Sequence, residues 1–125
     1  MPISHVMIKA CASKHATVVD FYTQALQPLG YEKLKSFPNG ITGFGKQSPD
    51  LWIAIDPQNS HSTIHFAFQA PNSAAVDAFF SAALVAGAKD NGPPGLRLGM
   101  DPKYYATFIL DPVGNNIEVG CMVEE

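Results

Sequence analysis

The fold of this chain is decided by residues 111–118, which read DPVGNNIE. Pro112 fixes its own φ and favours an extended residue before it, and the Gly-Asn pair that follows tolerates positive φ, so the chain reverses here. Residues 104–110 (YYATFIL) and 117–123 (IEVGCMV) flank the turn and are rich in β-branched and aromatic residues. The stretch therefore predicts a β-hairpin.

Composition restricts the classes of protein that this chain can be. Its 125 residues are 46% hydrophobic and 15% charged, which is typical of one compact domain with a real core. The net charge of -3 predicts no basic surface, so nucleic acid and anionic membranes are not expected partners. No apolar run approaches the roughly 18 residues of a membrane helix, and no signal peptide is recognised, so we expect a cytoplasmic protein. Cys11 and Cys121 lack CxxC spacing, and reduced core thiols are the expected state of both.

The sequence carries the same pattern of predicted elements twice. The first half reads as a strand, a helix that Ser13 can cap, and short strands at 31–37, 41–45 and 51–55. The second half reads as a strand, a helix opened by Pro71-Asn72-Ser73, and strands near 88–91, 104–110 and 117–123. The two helical stripes superpose: Val18, Phe21, Tyr22, Ala25 and Leu26 against Val76, Phe79, Phe80, Ala83 and Leu84.

This repeat predicts the fold class. We expect an α+β fold in a single domain, residues 1–125, made of two βαβββ repeats at about 1–58 and 59–125. Each repeat alone would expose one sheet face, so the repeats should associate, within the chain or across a dimer. Together they should form a curved mixed sheet around a concave site.

Alternation along the strands places chemically useful side chains on the concave face. His5, His65 and Glu118 come from three predicted strands and share that face. Two imidazoles and one carboxylate form a facial set of ligands for a divalent ion, which can polarise a carbonyl, stabilise an enediolate or activate oxygen. The alternative is that both histidines are structural or surface residues and that Glu118 is solvated.

The whole chain resembles the vicinal oxygen chelate superfamily, also called the glyoxalase/bleomycin resistance/dioxygenase group. The resemblance rests on short motifs along the chain: SHV at 4–6, FY at 21–22, IHFAF at 64–68 and, most specifically, LDPVGNNIE at 110–118. The segment NGPPGLR at 91–97 resembles a glyoxalase-like subgroup with few assigned activities.

The resemblance implies a site as well as a fold. His5, His65 and Glu118 match three of the family's metal ligands, for Zn, Mn, Fe, Co or Ni, with Glu118 also catalytic. A homodimer is implied, and sites completed within one chain and across two chains both occur in the superfamily. In the first repeat the position that matches Glu118 is approximately Trp52. The chain departs from the family pattern there, because glyoxalase I enzymes carry on that strand a fourth ligand that also acts as the catalytic base.

Five further residues are predicted to bind substrate. Lys9 can hold an anionic group or act as an acid, or can be a rim lysine whose stem is buried. Arg97 follows a stretch, residues 92–95, that is too rich in Pro and Gly to be expected as regular structure. This loop either covers the cavity, where Arg97 can clamp a carboxylate or phosphate, or is a surface connector. Tyr104 and Phe108 face the cavity in the favoured register, which a slip of one residue would reverse. Trp52 is either an apolar wall or part of the core.

Three functions fit these observations. The first is a metal-dependent enzyme acting on a small substrate that chelates the ion through adjacent oxygens: a glyoxalase-like lyase or isomerase or, as the alternative, a dioxygenase. The second is a metal-free small-molecule binding protein of the bleomycin-resistance type. The third is a dimerising scaffold with a vestigial site.

Overall fold

The computed structural model describes residues 3–58 and 63–123. The first half contains β1 (Val6–Ala10), α1 (Ala12–Ala25), a 3-10 turn (Gln27–Leu29), β2 (Glu32–Ser36), β3 (Thr42–Gly45) and β4 (Pro49–Ile55). The second half contains β5 (His65–Gln69), α2 (Ser73–Val85), β6 (Lys89–Asp90), β7 (Gly95–Leu96), β8 (Tyr104–Leu110) and β9 (Asn116–Met122). This order confirms the predicted α+β class. The boundary predicted between the two repeats, at 58–59, falls next to residues 59–62, which lie outside the described residues, so its position stays a prediction.

The strands form two mixed sheets, with orders β1-β4-β3-β2 and β5-β9-β8-β6, and β7 also pairs with β8. Within the described ranges no strand pairing joins the two, so the one curved sheet expected from sequence is divided in the single chain. Each sheet contains one parallel pair, β1 with β4 and β5 with β9. In the first, Met7 stands opposite Trp52, and in the second Ala67 stands opposite Glu118. Trp52 is therefore the structural equivalent of Glu118.

Both helices pack into one core that also takes the inner face of each sheet. Its large members come from both repeats: Val18, Phe21, Tyr22, Leu26, Ile53, Phe68, Val76, Phe79, Ile117 and Val119. Leu84 departs from the predicted stripe because it is exposed, whereas its counterpart Leu26 is buried. Leu26 is buried because it leads into the 3-10 turn, which packs against α2. The opposite face of each sheet, called here the open face, carries the candidate site.

The two helices begin differently. The segment predicted to open α2, residues 71–73, does so, and within it Asn72 is the N-cap: its side-chain oxygen accepts a hydrogen bond from the Ala75 N–H at 2.9 Å. The prediction that Ser13 caps α1 is wrong: Cys11 occupies the N-cap, and no side chain in the described part of the chain caps that end. Cys11 and Cys121 are free thiols in the described structure; Cys121 lies in the core as expected, whereas Cys11 is only partly buried and lies outside it. Neither helix of the described ranges has the length and apolarity to cross a bilayer.

The turn at 111–118 is held by one buried carboxylate. Asp111 Oδ1 accepts from the backbone N–H groups of Val113 and Asn115 at 3.0 and 2.9 Å. Its Oδ2 accepts from the Tyr22 hydroxyl at 2.5 Å and from the Asn115 amide at 2.9 Å. Burial, assisted by the charge of Asp111, raises the pKa of Tyr22 well above its ordinary value. The turn is thereby fixed to α1, and β9 begins in one defined place.

The Pro- and Gly-rich segment is more regular than predicted. Gly95 and Leu96 pair with Ala106 and Tyr105 of β8 as the short edge strand β7. The two prolines precede this strand and so remove no N–H from its pairing. The expectation that the whole segment is irregular is therefore wrong, because a short edge strand that begins after the two prolines can still pair with β8.

A candidate metal-binding pair on the second sheet

His65 and Glu118 meet on the open face of the second sheet. His65 is the first residue of β5, and Glu118 lies in the neighbouring strand β9. The His65 Nε2 and Glu118 Oε1 atoms are 3.1 Å apart. Glu118 is only 5% exposed, whereas about half of the His65 side chain is open to solvent. Two of the three predicted metal ligands are thus in contact.

The backbone fixes the tautomer of His65. Its Nδ1 lies 2.8 Å from the Asn116 carbonyl oxygen, which can only accept a hydrogen bond. The Nδ1 atom therefore carries the ring proton, and Nε2 of the neutral ring is an acceptor that faces the acceptor Oε1 of Glu118. Two facing acceptors need a cation between or beside them, either a second ring proton or a metal ion.

The spacing of the pair fits a divalent transition ion. Such ions bind imidazole nitrogen and carboxylate oxygen at about 2.0–2.2 Å, so two neighbouring ligands stand roughly 3.0 Å apart at a right angle and roughly 3.4 Å apart at a tetrahedral angle. The observed 3.1 Å between Nε2 and Oε1 agrees with that separation. The carbonyl behind Nδ1 is the usual outer partner of a metal-bound histidine. The donor set is therefore suited to Zn, Mn, Fe, Co or Ni.

The second oxygen of Glu118 is occupied by Tyr104. The Tyr104 hydroxyl donates to Oε2 at 2.5 Å. Desolvation, followed by this hydrogen bond and the charge of Glu118, raises the pKa of Tyr104 above its ordinary value. Tyr105 points to the other side of β8 and donates to Asp77 of α2 at 2.6 Å. The register favoured for Tyr104 is therefore the one observed, and its role in substrate binding stays a prediction.

Gly120 leaves open the space that the Tyr104 ring occupies, and the sequence alone did not single out this glycine. A Cβ atom on Gly120 would stand 2.2 Å from the Tyr104 hydroxyl oxygen and 2.4 Å from its Cζ. The tyrosine ring therefore crosses β9 over a residue that has no side chain. The available signal was a glycine two residues after Glu118 in a strand of otherwise larger residues.

Phe108 and Arg97 extend the site across β8. The rings of Phe108 and His65 are stacked, with centroids 6.1 Å apart and an interplanar angle of 23°. The Arg97 guanidinium lies 5.2 Å from the Phe108 centroid. It donates to the carbonyls of Pro93 and, at 3.0 Å, Ala106. Arg97 thus ties its loop to β8 beside the site, and its binding of substrate stays a prediction.

The remaining predicted residues lie on the first sheet. His5 precedes β1, and its Nδ1 lies 2.8 Å from the Ser4 hydroxyl. Lys9 is exposed on the open face, and Trp52 stacks on Phe37 with centroids 6.3 Å apart. In the ranges that the structure describes, no three His, Cys, Asp or Glu side chains of one chain come together as a metal site. His5 therefore does not join His65 and Glu118 within the chain.

The surroundings of His5 include a cavity of about 280 Å³ between the starts of β1 and β5. Tyr31, Asp50 and Gln69 also line it, and the Tyr31 hydroxyl donates to Asp50 at 2.7 Å. Glu118 is not among the lining residues described. The histidine of the first repeat thus has polar neighbours of its own.

The fold and the site together indicate one class of protein: a small α+β protein made of two βαβββ modules, with a histidine–carboxylate pair on the open face of a sheet. The chain belongs to the Glyoxalase/Bleomycin resistance protein/Dioxygenase superfamily, whose family model matches residues 3–119. This superfamily fold binds small molecules, generally with divalent metals, and is often dimeric.

Solved structures share the fold. A glyoxalase/bleomycin resistance protein from Albidiferax ferrireducens T118 is 24% identical, with a TM-score of 0.79 and coverage of 94% of this chain and 97% of that one. A glyoxalase/bleomycin resistance protein/dioxygenase family enzyme from Burkholderia phytofirmans PsJN is 18% identical, with a TM-score of 0.76 and coverage of 98% and 100%. A lactoylglutathione lyase from Agrobacterium tumefaciens is 21% identical, with a TM-score of 0.68 and coverage of 97% and 95%. No curated protein matches the chain significantly.

Proposed function

We propose that this protein is a glyoxalase-like metal-dependent enzyme, a lyase or isomerase, whose ion is held by His65 and Glu118 of one chain and by His5 of a second copy. The observation that carries the proposal is the contact between His65 Nε2 and Glu118 Oε1, which lie 3.1 Å apart. His5 is assigned to the second copy because it occupies the position of His65 in the other repeat, yet does not reach that pair in its own chain.

Exposed apolar side chains on the open faces support a homodimer. Met7 and Phe37 of the first sheet are 41% and 47% exposed, and Met122 of the second sheet is 58% exposed. Apolar side chains exposed on both open faces provide surface that a second copy of the chain would cover. Placing the first sheet of one copy against the second sheet of another would cover them and complete a concave site.

The proposed substrate is a small molecule that chelates through two adjacent oxygens. A bound ion would supply positive charge that stabilises an oxyanion or enediolate. The chain would hold Glu118 in place through Tyr104 and shield one side of the pair with Phe108. Because Trp52 stands where the equivalent carboxylate of the first repeat would lie, Glu118 is the carboxylate assigned as the catalytic residue. Under this proposal Lys9 and Arg97 provide positive charge for an anionic group of the substrate.

A metal-free binding protein is the second candidate. The observation that favours it is the stacked pair of Trp52 and Phe37, whose rings are inclined by 15° on the open face of the first sheet. A flat aromatic wall of this kind suits a ring-bearing ligand. Tight capture of such a ligand by metal-stripped protein, without turnover, would favour this candidate over the enzyme.

Metal analysis by mass spectrometry tests the enzyme proposal. We expect about one transition ion per chain in untagged protein and loss of that ion in His65→Ala, because the variant lacks the nitrogen that faces Glu118. His15→Ala is the matched control, since His15 lies on α1, away from the open faces, and it should retain the ion. Absence of metal from the parent after soaking with Zn, Mn, Fe, Co and Ni salts would overturn the proposal. With metal present, substrate screening would begin with dicarbonyl adducts and catechols.

A further inference from the structure

Tyr104 controls which oxygens of Glu118 remain available. We propose that Tyr104 is a positioning residue, which confines Glu118 to binding an ion through one oxygen and thereby selects transition ions over Ca²⁺. The inference rests on the proposed function, because it concerns the same His65–Glu118 pair. It assigns to Tyr104 a role in the choice of metal, besides the contact with substrate expected of it.

The two oxygens of Glu118 have different partners. Oε1 faces His65 Nε2 at 3.1 Å, and Oε2 accepts the Tyr104 hydroxyl at 2.5 Å. A hydrogen bond to a charged carboxylate is among the stronger hydrogen bonds, and this carboxylate is 5% exposed, so little water is available to replace the tyrosine. An ion that binds both oxygens would have to displace Tyr104. Binding through Oε1 alone leaves the hydrogen bond intact.

The glycine beneath the ring provides an independent observation. Gly120 is not one of the glycines with positive φ, so backbone conformation does not explain why a glycine stands there. Lack of space explains the glycine, because a Cβ atom at this position would lie 2.2 Å from the Tyr104 hydroxyl oxygen. The strand is therefore built to let a tyrosine from β8 reach across to Glu118.

One-oxygen binding has a consequence for the choice of ion. Ca²⁺ takes six to eight oxygen ligands and often binds a carboxylate through both oxygens. Transition ions accept imidazole nitrogen together with a single carboxylate oxygen. Because Tyr104 withholds Oε2, the pair offers one nitrogen and one oxygen, and the chemistry favours the transition ions.

Titration of metal-stripped protein with Co²⁺ tests this inference, with visible absorption as the readout. We expect Tyr104→Phe to weaken Co²⁺ binding by about tenfold to a hundredfold, as removal of an outer partner typically does. Competition by Ca²⁺ should become stronger, and the infrared splitting of the metal-bound carboxylate bands should narrow as both oxygens engage. The matched control is Tyr105→Phe, which loses an equivalent hydrogen bond to Asp77 on the other side of the strand and should behave as the parent does.

A second variant reaches the same hydrogen bond from the other strand. Gly120→Ala should weaken Co²⁺ binding as Tyr104→Phe does, and the double variant should be no weaker than either one. If Gly120→Ala does not fold, Tyr104→Phe decides the matter. A Tyr104→Phe protein with the parent's Co²⁺ affinity, Ca²⁺ competition and infrared splitting would overturn the inference while leaving the metal site in place. A parent that binds no Co²⁺ would overturn the metal site and the inference together.

Discussion

Chains with His5→Ala and chains with His65→Ala should each lose bound metal, whereas a mixture of the two should recover about a quarter of the sites. The expectation follows from the proposal that His5 of one copy completes the pair on the other. In a two-fold dimer, each of the two sites takes His5 from one chain and His65 with Glu118 from its partner. A mixed dimer therefore keeps one intact site, and random pairing makes half of the dimers mixed.

Co-expression of the two variants and metal analysis of the purified mixture provide the measurement. A matched control mixes His65→Ala with Glu118→Gln, because those residues belong to the same half-site and contact each other. No dimer in that mixture has an intact site, so it should hold no metal. Recovery in neither mixture would place all ligands in one chain, and metal retained by His5→Ala alone would exclude His5 as a ligand. Recovery in both mixtures would contradict the pairing of His65 with Glu118.

Replacement of Asp111 by alanine should lower the free energy of unfolding by about 3–5 kcal/mol. The carboxylate is buried and accepts four hydrogen bonds, from the backbone of Val113 and Asn115, the Asn115 side chain and the Tyr22 hydroxyl. Its removal leaves buried donors without an acceptor. Urea unfolding followed by circular dichroism measures the loss.

Two controls separate the turn from the tyrosine contact. Tyr22→Phe removes one of the four donors and should cost about 1–3 kcal/mol, the usual range for a hydrogen bond to a charged group. Asp77→Ala removes an exposed carboxylate that also accepts from a tyrosine, and it should cost less than about 1 kcal/mol. An Asp111→Ala protein no less stable than Asp77→Ala would show that the turn does not depend on this carboxylate.

Local chemistry explains why much of the fold was predictable. The turn at 111–118 is encoded by Pro112 and the Gly-Asn pair, and Asn72 caps its helix through its own side chain. Alternation along a strand has a period of two, so it placed His65 and Glu118 on one face without knowledge of the partner strands. Comparison of the repeats identified Trp52 as the counterpart of Glu118, which the strand register confirms.

Features that depend on neighbours were not predictable in the same way. Ser13 is a good N-cap residue, yet the helix begins one residue before it, after Cys11. Leu84 fits an apolar stripe, but nothing in its own repeat corresponds to the 3-10 turn after Leu26. The role of Gly120 depends on Tyr104, which lies 16 positions earlier in the sequence and whose ring crosses β9 at Gly120.

The sequence by itself determined the order of the main elements, the repeat and the sheet face on which each candidate ligand lies. These features follow from the spacing at which core-facing apolar residues recur along the chain. Tertiary structure decided which ligands meet. Two sheets that pack through their helices leave His5 beside the first sheet and His65 with Glu118 on the open face of the second, since helix packing fixes how the modules are arranged. Side chains from separate modules are brought together, or kept apart, by packing of the whole core, and no local pattern in the sequence records that arrangement.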